Sequence, residues 1–184
     1  MSRGFGAIKR GAATGVLENI ASLFDKTVQA ADKKLKGQAW TDAGREFALD
    51  AARAEAEGML RVIADSATQR HRDHLAQLET EMQQVPEINE FRAVEIRKLL
   101  RNMETREREL FISRSCDPEV LAAVVHGPRS FPLTTDDAVT VGLTSYNRAH
   151  RPQQTALAED ARSFISAVEG FSDTVARELR RSLR

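Results

Sequence analysis

His71 and His74, three residues apart, are the most metal-like pair in the chain. Two imidazoles at that spacing on a helix form half of a metal site or a pair that repels when protonated near pH 6. A zinc or two-metal centre needs further ligands, and no second His/Cys cluster supplies them. His126 and His150 stand alone, at expected helix ends. The single thiol, Cys116, has Arg114 nearby and lies just ahead of an expected helix start, two features that lower a thiol pKa. A cysteine nucleophile also needs a positioned base, and the sequence proposes none. Gly4, Gly6, Gly11 and Gly15 lack the Lys-Ser/Thr pair and the preceding strand of a phosphate-binding loop. Carboxylate pairs at helical spacing follow from the glutamate content alone. No catalytic residue, metal ligand or cofactor is expected, and the chain reads as a protein that is not an enzyme.

Charge offers a second kind of chemistry. Residues 1–40 hold seven basic and three acidic groups, and residues 41–112 hold eleven and fifteen, within a chain whose net charge is zero. Lys33, Lys34 and Lys36 close one expected helix, and Arg177, Arg180 and Arg181 close another. These six are the candidate anion-binding residues, and a nucleic-acid-associated adaptor is the alternative function they suggest. Their placement at helix C-termini is also what the helix dipole favours, so they need no nucleic acid to explain them. No helix-turn-helix or stacking-aromatic motif accompanies them. Phe5, Ile8, Val16, Leu17, Ile20, Leu23 and Phe24, with Arg3, Lys9 and Lys26, form a basic amphipathic stretch. Packing against protein is the favoured use of its apolar side, ahead of a membrane surface.

The elements that carry these residues are helical. Aromatics are 5% of the 184 residues and charged residues 29%, the mixture of helices with thin apolar stripes rather than of a sandwich or barrel. No apolar run approaches the ~20 residues that span a bilayer, and one cysteine suits a reducing compartment. A soluble intracellular protein is expected, and an integral membrane protein is not.

Four segments follow. Residues 1–40 hold an N-terminal arm, Met1 to Ala12, and an amphipathic helix that ends in its lysines with Gly37 as the residue after the cap. Residues 41–115 hold a long helical region capped by Thr41 or Asp42 and kinked near Pro86, whose ring pushes Val85 out of the helical region. Leu60, Ala64, Ala67, His71, His74, Leu78 and Met82 form its seam. From Glu87 the apolar pattern resumes as one helix to about Ser113. Residues 116–151 form a tip of short helices. Asp117 caps the first of these, with Pro118 at its first position. Thr134-Thr135-Asp136-Asp137, with a carboxylate three residues after a threonine cap, opens a second over Val139, Leu143 and Tyr146, where Gly142 and the β-branched residues keep a strand open as an alternative. Residues 152–184 form a final amphipathic helix. Its seam is Leu157, Ala161, Phe164, Val168, Phe171, Val175 and Leu179, at spacings of three and four.

An all-α, elongated fold is therefore expected, with long amphipathic helices in a coiled-coil-like hairpin and a small helical tip. The last helix would pack antiparallel on residues 87–113. The seams, Leu60, Leu78 and Met82 on one helix and Leu157, Phe164, Val168, Phe171, Val175 and Leu179 on the other, are the candidate interaction residues. Protein partners or other copies of the chain are the expected partners.

The stretch Asp117 to Pro128, followed by Phe131-Pro132-Leu133-Thr134-Thr135, resembles a pattern in small helical proteins encoded by phages and prophages. It covers about a fifth of the chain. The resemblance implies a virion or assembly component ordered by neighbouring subunits, and it carries no catalytic or binding residue with it.

Overall fold

A computed structural model describes residues 3–36, 39–128 and 132–183, with side chains from Ala13 onward. Seven helices and no strand occur among the described residues: α1 (Arg3–Lys36), α2 (Asp42–Gln83), α3 (Glu90–Arg101), α4 (Thr105–Arg114), α5 (Pro118–Val125), α6 (Asp136–His150) and α7 (Pro152–Ser182). The fold is all-α.

The N-caps follow local chemistry. Thr41 is the cap of α2, with the Gly44 N–H donating to its Oγ1 at 3.2 Å. The Asp117 carboxylate accepts from the Glu119 N–H at 2.8 Å, with Pro118 at the first helical position. Thr135 accepts from the Ala138 N–H at 3.4 Å and opens a helix, not a strand. Gly142 has a steric reason. A Cβ there would lie 2.6 Å from the carbonyl oxygen of Ile112 and 2.9 Å from the Leu121 side chain. Glycine lets α6 pass that close to the backbone of α4.

Three boundaries differ from those expected. The helix α1 already runs from Arg3, through the glycines of the expected arm. Each glycine costs ~1 kcal/mol against alanine, but a long helix downstream supplies the nucleus from which these turns propagate. Pro86 lies in a full interruption over residues 84–89 and is not a kink within a helix. The expected single helix over 87–113 is two, parted at residues 102–104. There Asn102 ends α3, and the Arg108 guanidinium donates to the Leu100 carbonyl at 3.4 Å. Gly37 lies outside the described residues.

The chain divides into two compact units. Unit 1, residues 1–74 and 161–184, packs α1, the first part of α2 and the second part of α7 around Ile20, Leu49, Leu60, Val168 and Leu179. Here α2 and α7 run antiparallel, because Glu57 meets Arg180 while Arg72 meets Glu169. Within unit 1 the antiparallel partner of the last helix is thus α2, whose long unbroken seam matches it.

Unit 2, residues 75–160, gathers α3 to α6 around Ile96, Leu100, Ile112, Leu121 and Tyr146. Buried Arg97 joins two of these helices. Its Nε donates to the Ala123 carbonyl at 2.8 Å, at the C-terminal end of α5, and a second nitrogen meets Glu90 at 2.8 Å. The end of α2 is closed in the same manner. Arg151 donates to the carbonyls of Glu81 and Gln84, and Asn147 donates to that of Met82 at 2.8 Å. Helix ends that lack a capping glycine are satisfied by side chains from another helix.

Candidate interaction surface

The histidines and the cysteine sit apart. His71 is half-buried and stacks on Phe164 in unit 1, with ring centroids 4.1 Å apart, while His74 is exposed. His126 caps the end of α5, and His150 places Nε2 2.7 Å from the Cys116 carbonyl. The exposed Cys116 thiol donates to the Ser145 carbonyl at 3.7 Å. No group of three or more His, Cys, Asp or Glu residues able to hold a metal occurs among the described residues.

The candidate anion-binding residues are largely engaged within unit 1. Arg180 forms a two-pronged contact with Glu57, at 2.6 and 3.1 Å. That hydrogen bond holds the Glu57 carboxyl below the usual carboxylate range, against a smaller opposing effect of burial, and raises Arg180. Arg181 pairs with Glu178 at 2.7 Å, and Arg177 donates to the Asp173 carbonyl and to Thr174. On α1, Lys36 pairs with Asp32 at 2.6 Å, and Lys33 and Lys34 are exposed.

The seam residues build the fold. Leu60, Val168, Val175 and Leu179 are buried together in the core of unit 1, with Phe164 and Phe171 packed against them. Leu78 is buried, Met82 is half-buried, and Leu157 is exposed. Most of the seam that was expected to meet another chain is therefore covered by this one. Once α2 and α7 pair with each other, their strongest apolar stripes are consumed.

Apolar surface remains on the opposite faces. On α3, Ala93, Ile96 and Leu100 are buried, while Phe91, Val94 and Leu99 on the other side are 86%, 53% and 62% exposed. On α2, Leu49, Ala56 and Leu60 face the core, and Phe47 and Val62 point away from it at 76% and 66% exposure. Between α4 and α6 an open groove of about 420 Å³ is lined by Leu110 and Val141 and rimmed by Arg106, Glu109 and Asp137. Sequence reasoning put Phe91 and Leu99 on one apolar stripe with Ile96, and missed that they face the other way, because each helix was assigned one stripe. The available signal was the second set of apolar positions interleaved with the first, Phe47 and Val62 among Leu49 and Leu60. No helix among the described residues is long and apolar enough to cross a membrane. No family model, no curated protein and no solved structure matches this chain.

Proposed function

We propose that this chain is a non-enzymatic assembly protein that binds other protein chains through apolar helix faces turned away from its own cores. The observation that carries the reading is the outward side of α3, where Phe91, Val94 and Leu99 are exposed among Arg92, Glu95 and Lys98. A helix that needed only to cover one core has no packing use for large apolar side chains among the polar ones on its other face. Phe91 is instead the most exposed large apolar side chain described, and it sits one turn from Val94. Exposed apolar patches of this kind mark sites that bury surface on association. The resemblance of residues 117–135 to phage-encoded proteins makes a virion or its assembly the setting we favour.

Sedimentation of the purified chain, with circular dichroism as a check on helicity, tests the proposal. The wild-type chain is expected to associate with rising concentration, and Phe91→Glu combined with Leu99→Glu to weaken that association while helicity stays unchanged. A chain that remains monomeric at every concentration, or whose association ignores both substitutions, speaks against it.

A further inference from the structure

Two uncovered surfaces of unit 2 are counterparts of each other. The outward ridge of α3 is Phe91, Val94 and Lys98, at spacings of three and four, with Leu99 on its flank and Arg101 three residues further on, all exposed. The open groove between α4 and α6 has a floor of Leu110, Ala138 and Val141. Glu109 lines it from α4 and Asp137 from α6, with Arg106 on the first turn of α4. Ridge and groove match in length. Phe91 to Lys98 is seven residues of helix, ~10.5 Å, and so is Arg106 to Ser113 along the groove.

The groove has a direction. Gly142 lies against the Ile112 carbonyl, Ser145 donates to the Ser113 carbonyl at 3.1 Å, and His150 reaches the Cys116 carbonyl, so α4 and α6 run the same way. Glu109 and Asp137 therefore sit toward the end where both helices begin. Arg114, four residues after Leu110, and Arg148, seven after Val141, lie at the other end, and both are exposed.

We infer that the α3 ridge of one copy seats in the α4–α6 groove of the next, antiparallel to both helices. The inference rests on the proposal that α3 binds protein with its outward side, and it names the occupant and the seat. Val94 then lies over Leu110 and Val141, Phe91 lies above Ser113, and Lys98 comes between Glu109 and Asp137. Charge selects both the occupant and its direction. Lys98 and Arg101 on the ridge, and Glu109 and Asp137 in the groove, form no ion pair among the described residues, so all four charges are left for a partner. Glu95, the acid on the ridge, already pairs with Arg92 at 3.3 Å. Two carboxylates outweigh Arg106 and leave the groove acidic, against a basic ridge. The parallel placement would instead carry Lys98 and Arg101 toward Arg114 and Arg148. Because ridge and groove are different surfaces, the contact is head-to-tail, and copies add into an open chain or a closed ring. A ridge of twelve residues buries less than the ~800 Å² per partner of a standard stable interface, so each contact is weak and concentration-dependent.

The test uses two variants of the full chain, one spoiled at the ridge and one in the groove. Phe91→Asp removes the ridge, and Val141→Glu puts an unpaired charge on the floor of the groove beside two carboxylates. Each is expected to weaken self-association by at least about tenfold, with helicity unchanged. Mixed in equal amounts, they are expected to form a two-chain complex and nothing larger in sedimentation, since the intact ridge of one meets the intact groove of the other. Lys98→Glu and Glu109→Lys should each weaken association, and both in one chain should restore it. Arg106→Gln should tighten it. Undiminished association of Val141→Glu, or a mixture that stays monomeric, overturns the inference. If Phe91 and Leu99 still govern association in that case, only the groove is eliminated as their seat. A wild-type chain that is monomeric throughout removes both readings.

Discussion

Between α2 and α7, the two-pronged Glu57–Arg180 contact is the residue-level feature with a defined pH dependence. Its hydrogen bond holds the Glu57 carboxyl below the ordinary value in the folded chain. In the unfolded chain that carboxyl titrates at an ordinary value of about 4.3. The unfolded state therefore binds the proton first as the pH drops, and the contact stabilises the fold fully above that value. This stabilisation is lost as the pH falls through the lowered folded value. Arg180→Gln should thus reduce stability at pH 7 and leave a much smaller difference from the parent near pH 3, read by urea unfolding at both pH values. An equal loss at both would mean that the arginine acts by packing its stem and not by pairing its charge. The size at pH 7 is small, because the Arg180 side chain is more than half exposed and water screens the pair.

At the scale of elements, guanidinium groups end helices where the chain has no capping glycine. Arg151 and Asn147, at the end of α6, close α2, and Arg108 reaches back to the end of α3. Arg151→Ala should fray the last turn of α2 and cost about 1–3 kcal/mol, the range for lost hydrogen bonds from a charged donor. Faster hydrogen exchange confined to residues 78–84 would mark the fraying, and unchanged exchange there would exclude the capping role. The same contacts show what the sequence could and could not disclose. Caps made from adjacent residues, such as Thr41 and Asp117 with Pro118, were legible because donor and acceptor are neighbours in the chain, and the pair Thr134-Thr135 marked the start of α6 without choosing between its two threonines. The seam of α7 was legible from its period. Its partner was not, since α2 and residues 87–113 both offered apolar residues at helical spacing, and only long-range packing chooses between them. The break at residues 102–104 has no proline or glycine to announce it, being held by Asn102 and by Arg108 of the next helix. The outward placement of Phe47 and Val62 was hidden in the same way, behind a stronger stripe on the same helix.

For the whole molecule, the two units have cores with no buried residue in common. Leu179 is completely buried in one and Leu121 in the other. Truncating either to alanine removes buried methyl groups and leaves a cavity, at a cost of about 2–5 kcal/mol. If each core is its own cooperative unit, the loss stays where the cavity is. Leu179→Ala should therefore accelerate amide exchange across α1, residues 42–74 of α2 and residues 161–182 of α7, while α5 and α6 keep their protection. Leu121→Ala should produce the reverse pattern. Hydrogen exchange followed by mass spectrometry on both variants decides it, and a uniform loss of protection across all helices from either substitution would show one cooperative body instead of two. The distinction bears on assembly, because the outward Phe47 and Val62 of α2 belong to the first unit and the exposed Phe91 and Leu99 of α3 to the second. Separately cooperative cores would let one face be weakened by a distant cavity while the other still binds. Leu121→Ala should then impair association through Phe91 and Leu99, whose helix packs on the same core, more than Leu179→Ala does.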